Sequence, residues 1–463
     1  MPDTWANPGL DLHLDHARPR VRAGLESALR DAVRTGRLAP GLLLPSSRTL
    51  AADLGIARNT VADAYSQLIA EGWLTARQGS GTRVAHRVQP VLATPTAVEA
   101  ASHPRYDLRP GTPDVSAFPR SAWLAAARRA LTAAPAEALG YTDPRGRPEL
   151  REALAGYLAR ARGLQVAPGR IVVSSGFTQG LGLICQVLRR RGARTLAVEA
   201  YSLAAHRDVA AASGLAIETV PVDDQGAVVS QLGDASAVLL TPAHQFPVGA
   251  ALVPERRSDV VDWAAASGGL VIEDDYDGEF RYDRQPLGAV QALAPEHVVY
   301  GGTASKSLAP GLRLGWLVLP AGLVDEVIAA KAVVDRNTSS IDQLTLADFI
   351  SSGGYDRQVR RARLTYHRRR DQLVAALRRH APAAQVTGIT AGLHLLLGLP
   401  PGQTEDDIIA RAAARGLALE GIAPYNATGE PHPPALVVGY GTPPEHAFTG
   451  AVARLTATLT ESP

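Results

Sequence analysis

Of the 47 basic residues in this 463-residue chain only two are lysines, Lys306 and Lys331, so arginine fills nearly every position where either cation would serve. An arginine neither loses its proton nor forms a Schiff base, whereas a lysine amine does both once desolvated or set beside other cations. Cysteine is scarcer still. Cys185 has no partner in the chain, which excludes an internal disulfide and a thiolate metal site, and its neighbours Leu183, Ile184, Val187 and Leu188 point to core packing in a reducing cytoplasm. No run of about 18 apolar residues occurs. The opening MPDTWANPGLDLHLDH has neither a basic start nor an apolar core. Membrane insertion and secretion are therefore not expected, and a cytoplasmic location is. Net charge is nearly absent too, at +2.

That small total conceals an asymmetry. Residues 11–87 hold eleven arginines against seven acidic residues, a net of +4, while the remainder is close to neutral. A basic module in front of a balanced one points to nucleic acid for the first part only. The length suggests two to four domains, and 46% hydrophobic residues suffice for a sizeable core.

In residues 17–38, Val21, Leu25, Leu29 and Val33 recur at helical spacing until Pro40-Gly41. Ser46 or Ser47 can cap a second helix carrying Leu50, Ala51 and Leu54, broken by Gly55. A third is expected at about 58–71, with Val61, Ala64, Tyr65 and Leu68 inward and Arg58, Asn59 and Thr60 at its exposed start. Two short helices joined at a glycine make a helix-turn-helix pattern. The alternating stretch 73–84 around Gly79 then reads as a β-hairpin wing, where Arg77 and Arg83 can meet phosphates. The ordered segment GRLAPGLLLPSSRTLAADLGIARNTVADAYSQLIAEGWLTARQGSGTRVA resembles a GntR-type winged helix along its whole length. The resemblance implies a double-stranded DNA operator, with Arg48, Arg58, Thr60 and the Gly79 turn at the duplex. A guanidinium fork serves base edges or phosphates equally. Ala57 stands where a serine or threonine cap is common, which weakens the start of the recognition helix.

Residues 85–105 carry three prolines and no clear period, as a linker would. From 106 onward, short apolar runs (RIVVSS, TLAVEA, AVLLTPA, GLVIEDD, HVVYGG, GWLVLP) alternate with amphipathic segments, predicting an α/β domain with a mostly parallel sheet. Ligands of such sheets bind at the carboxyl ends of the strands. The suggestive residues fall there. Gly176-Phe177-Thr178 opens a helix whose amides and dipole favour a phosphate. Glu273-Asp274-Asp275-Tyr276-Asp277 is either a solvated turn, a cation site, or a carboxylate that keeps a heteroaromatic nitrogen protonated with a tyrosine beside it. His244 and Gln245 can line the same pocket or stand exposed in their loop. Lys306 follows Thr303 and Ser305 and precedes Arg313 by seven residues, a setting that suits an aldehyde adduct beside a bound phosphate.

IEDDYDGEFRY, TPAHQFPVG and GTASKSLAPGLRLGW together make residues 106–463 resemble the fold-type I pyridoxal-phosphate aminotransferases, and the fusion behind a GntR-type winged helix resembles the MocR regulators. The resemblance implies a multidomain chain. An α+β winged helix-turn-helix (11–84) and a linker (85–105) precede an α/β transferase-like domain with large and small lobes (106–463). It further implies pyridoxal 5'-phosphate on Lys306, with Asp274 on the pyridine nitrogen, Tyr276 on the ring hydroxyl, and Arg313 with Thr303 or Ser305 on the phosphate. A head-to-tail homodimer is implied as well. There are two departures. Tyr201 is shifted and Leu203 stands where a residue covering the ring is expected. In addition, Leu436-Val437-Val438-Gly439-Tyr440 puts Val437 where such aminotransferases present an arginine to the substrate carboxylate. Losing that bidentate contact argues against amino-acid turnover. The basic segment 357–379 reads as a long helix with a solvated face, and 391–400 as a buried strand that packs His394. The expectation is a regulator that senses pyridoxal phosphate and controls vitamin B6 synthesis; the alternatives are a working aminotransferase with an appended DNA-binding module and a cofactor kept only for structure.

Overall fold

A computed structural model describes residues 21–77, 79–86, 104–282 and 287–460. The chain divides into two compact units, residues 1–102 and 103–463. Most of the expected linker, residues 87–103, lies outside the described residues.

The first unit contains helices Val21–Arg34, Ser47–Leu54 and Arg58–Ala70, followed by the antiparallel hairpin of Leu74–Arg77 with Gly81–Val84. Its core forms where the apolar spacing requires: Leu25, Leu29, Leu50, Val61, Leu68 and Leu74 are buried. Ala32 takes the buried place of the last turn of the first helix, leaving Val33 half-buried. Ser46 caps the second helix by accepting a hydrogen bond from Thr49 N at 3.1 Å. Gly55 ends it in the left-handed region at φ 64°, which costs a glycine little. Ala57, as expected, offers no side-chain cap to the third helix.

The second unit is built on a seven-stranded sheet. Its order is Ile171–Ser174, Gly315–Val318, Val298–Thr303, Leu270–Asp275, Ala237–Leu240, Thr195–Glu199, Ala216–Val220. Gly315–Val318 runs against both of its neighbours, and the other six strands are parallel. The central strands are buried along their length, which explains their continuous apolar runs. Leu270–Asp275 stays buried even through Glu273, Asp274 and Asp275. Glycine serves a close approach next door: a Cβ on Gly301 would stand 2.3 Å from the ring of Phe177. Cys185 packs in this core, and burial pushes its thiol up to about 12.

A smaller lobe follows, with strands Gln385–Thr387, His394–Gly398 and Ala435–Gly439 in an antiparallel sheet. Helices Gly354–His380 and Glu445–Thr460 pack on it through Leu373, Leu377 and Leu455. The basic segment 357–379 lies inside the first of these helices. Among the described residues no helix is long and apolar enough to cross a membrane.

The capping bond of Ser46 is testable by itself. Ser46→Ala should cost about 1 kcal/mol locally, seen as roughly fivefold faster hydrogen exchange in Ser47–Leu54 with Phe177–Arg190 unaffected. Unchanged protection of Ser47–Leu54 would contradict the assignment.

Candidate functional site

Six strands of the large sheet point their carboxyl ends the same way, and a cavity of about 390 Å³ opens there. A larger depression of about 840 Å³ lies at the opposite, amino-terminal strand ends, among Ala193, Asp234, Ser236, Gly269, Glu296 and His297, with no lysine in its lining. The smaller cavity is bordered by Gly176, Phe177, Thr178, Asp274, Tyr276, Thr303, Ser305, Lys306 and Arg313, so nine residues singled out from the sequence meet in one place.

One wall is built for an anion. Gly176, at φ 96°, turns the chain from strand Ile171–Ser174 into helix Phe177–Arg190, whose first amides no side chain caps. A Cβ on Gly176 would stand 3.2 Å from Arg313 Nη1, so glycine lets the guanidinium close on the turn. Arg313 itself sits in the left-handed region at φ 52°. Thr303 Oγ1 lies 2.8 Å from Ser305 Oγ and accepts from Ser305 N at 3.1 Å, which fixes two hydroxyls beside the same wall.

Another part of the lining is acidic and buried. Asp274 is 5% exposed, and its Oδ1 has no hydrogen-bond partner among the described residues. Burial first, and the neighbouring carboxylates after it, push this carboxyl well above the usual range, against the pull of Lys306. His206 Nδ1 stands 3.9 Å from Asp274 Oδ2. Burial and the nearby Lys306 lower that imidazole to about 4, so it stays neutral and does not neutralise Asp274. Leaving a buried acceptor unmade is costly, and a donor arriving in the cavity would relieve it. A protonated pyridine nitrogen is such a donor.

Lys306 is half-buried and donates to Gly111 O from the segment Pro110-Gly111-Thr112. Desolvation lowers its amine below the ordinary lysine range, while Asp274 and Asp277 act the other way. Tyr276 reaches the cavity from the end of the acidic strand, its oxygen 2.9 Å from His244 O and 3.1 Å from His244 Nδ1. Asp277 Oδ2 accepts from His244 Nδ1 at 2.8 Å, so that nitrogen carries the proton and Tyr276 donates to the carbonyl. Residues that fit pyridoxal phosphate are thus all present: an anion turn with a guanidinium, an unpaired buried carboxylate, a phenol and a desolvated amine.

Two sequence expectations need correction. His244 and Gln245 do not border the cavity: His244 backs Tyr276, while Gln245 donates to Tyr201 O and Phe246 O and accepts from Val248 N. Their polar groups are consumed in holding the loop 241–250. Tyr201 is absent from the lining as well, whereas Leu203 and His206 are part of it. Sequence reasoning missed His206, and Glu199 with it. A histidine on the buried face of Ala204–Ala212, just beyond a strand end, is a usable signal for the first, whereas Glu199 emerges only from the fold. His394 is buried as expected and also borders the cavity, its Nε2 unpartnered among the described residues. Val437 is fully buried against Phe246, Ile422 and Tyr425. Lys306 and Arg313 are then the only lysine and arginine among the described residues lining the cavity.

In the first unit, Arg48, Arg58, Asn59, Arg77 and Gly79 are exposed and Thr60 is half-buried. The guanidiniums of Arg48, Arg58 and Arg77 have no partner among the described residues, so free forks stand on the second helix, at the start of the third and on the hairpin. Arg83 is committed, donating to Gly41 O at 3.0 Å.

Comparison with known proteins agrees with this geometry. The model for "Aminotransferase class I and II" matches residues 111–423, and that for "Bacterial regulatory proteins, gntR family" matches 22–84. The chain is 32% identical over 446 residues to the HTH-type pyridoxine biosynthesis transcriptional regulator PdxR of Corynebacterium glutamicum, covering 95% of this chain and 96% of that one. It is 31% identical to the probable rhizopine catabolism regulatory protein MocR of Rhizobium meliloti, covering 84% and 83%. Among solved structures, an archaeal alanine:glyoxylate aminotransferase superposes with a TM-score of 0.71 at 26% identity, covering 76% of this chain and 90% of that one.

Two outcomes follow. Arg58→Ala should weaken DNA binding and, where the contact is a phosphate, lower the salt slope of binding by about 1; an unchanged affinity and slope would remove Arg58 from the interface. Glu199, which accepts from Thr241 N and Oγ1, is raised by burial from 4.5 to about 7. The folded protein binds this proton more tightly than the unfolded chain, so stability falls as pH rises between those values and levels off above them. Denaturant titrations at pH 5 and 8 should show a smaller loss for Glu199→Gln than for the native chain, and an equal loss would contradict the assignment.

Proposed function

Because the chain belongs to the MocR-type GntR-family transcription regulators, in which a winged helix is joined to an aminotransferase class I and II domain, we propose that it binds pyridoxal 5'-phosphate and reports its presence to operator DNA. The unpaired, buried Oδ1 of Asp274 beside Lys306 is the observation that carries this reading. Asp274 would accept from the ring nitrogen, Tyr276 would meet the ring hydroxyl, and Arg313 with Thr303, Ser305 and the Gly176 turn would hold the phosphate. When bound, the group supplies an electrophilic aldehyde and an electron-withdrawing ring. Lys306 would tether that aldehyde.

The cavity supports the cofactor itself as effector. An amino-acid substrate needs a cation for its carboxylate, and at the expected position Val437 is apolar and packed away. Arg313 is spent on the phosphate wall. The likeness to a regulator named for pyridoxine biosynthesis supports control of vitamin B6 synthesis. A head-to-tail homodimer would bring two winged helices to paired half-sites.

The scarcity of lysine makes the covalent site easy to map. Borohydride reduction of the protein after incubation with pyridoxal phosphate, followed by peptide mass spectrometry, should find the label on Lys306 and none on Lys306→Ala. Label confined to Lys331, or none at all, would overturn the reading.

A further inference from the structure

The chain's other lysine is buried completely, at 0% exposure. Lys331 lies near the end of helix Val324–Val334, and its three donors are all used: Asp335 Oδ1 and Oδ2 accept at 2.8 Å each, and Thr338 Oγ1 at 3.1 Å. The three donors of a compact ammonium match these three acceptors. Breaking such a pair would leave Asp335 without its counter-charge.

Asp335 passes the order on. Its Oδ2 also accepts from Gln179 Nε2 at 2.6 Å, and Gln179 Oε1 accepts from Ser175 N at 2.6 Å. The amide orientation has one solution, because a carboxylate only accepts and a backbone N–H only donates. Ser175 precedes Gly176, and Ser174 Oγ donates to Gly176 O at 3.1 Å, so the network ends on the turn that faces Arg313. Gln343 secures the other flank by donating to Thr338 O at 2.8 Å and accepting from Arg147 N at 2.7 Å.

We propose that Lys331, through Asp335 and Gln179, is the positioning element of the phosphate-binding turn, holding Ser175-Gly176 so that the free amides of helix Phe177–Arg190 converge on a phosphate. This rests on the reading of the cavity as a pyridoxal-phosphate site. It assigns the two lysines complementary tasks, one at the aldehyde end of the ligand and one, at a distance, at its phosphate end. Without Lys331, Asp335 is released, Gln179 loses its fixed orientation, and the turn keeps its sequence but not its register.

The test compares two aldehydes that differ only in the phosphate. Full-length native protein, Lys331→Met and Gln179→Leu are titrated with pyridoxal phosphate and with pyridoxal, following the visible absorbance of the lysine-bound aldehyde. Gln179→Leu leaves the Lys331–Asp335 pair intact and so guards against a folding defect. Both variants should bind pyridoxal phosphate roughly tenfold more weakly, the scale of a charge-linked hydrogen bond, with pyridoxal affinity unchanged. Equal weakening toward both aldehydes, or none toward pyridoxal phosphate, would overturn the positioning role. Absence of bound-aldehyde absorbance in the native protein would overturn the cofactor reading, and this inference with it.

Discussion

A carboxylate removed from water beside a desolvated amine governs the effector unit. Asp274 stands at the end of a strand buried on both faces, where burial drives its carboxyl upward and His206, kept neutral, gives it no counter-charge. Such an arrangement costs free energy in an empty cavity and returns it when a donor enters. The flanking strands, the Gly176 turn and the segment bearing Lys306 bring that acceptor and an anion wall into the lining of one cavity. On the proposed reading, ligand selectivity follows from this lining: the molecule would carry a ring donor and a phosphate together.

Much of this was legible in the sequence because it lies in short segments. The apolar runs marked the strands, Ser46 and Gly55 marked the helix-turn-helix, and the rarity of lysine marked residue 306. Asp274 and Thr303 close their strands, and Tyr276 and Arg313 stand in the loops just beyond, where parallel sheets place their ligands. What was illegible depends on crossings between distant segments. His206 reaches Asp274 from a helix some seventy residues earlier in the chain, and Gln179 meets Asp335 across a separation of 156 residues. His244 misled for the opposite reason: its position in a strand-end loop was right, yet Asp277 and Tyr276 take up its polar edge.

The same constraint separates sensing from turnover. A transaminase site has to hold a second molecule's carboxylate, and Val437, which stands where the family resemblance would put an arginine for it, is a fully buried apolar side chain. In the proposed reading one ligand would occupy both Lys306 and Arg313. The winged helix meanwhile presents Arg48, Arg58 and Arg77 exposed and without a partner among the described residues.

The central claim is that pyridoxal phosphate, and not an amino acid, is what the DNA-binding unit hears. Titration of an operator fragment with cofactor-free protein, repeated with pyridoxal phosphate and with common amino acids at fixed salt, tests it most directly. The account expects pyridoxal phosphate alone to shift operator affinity while amino acids by themselves leave it unchanged. Identical binding curves with and without pyridoxal phosphate would contradict it.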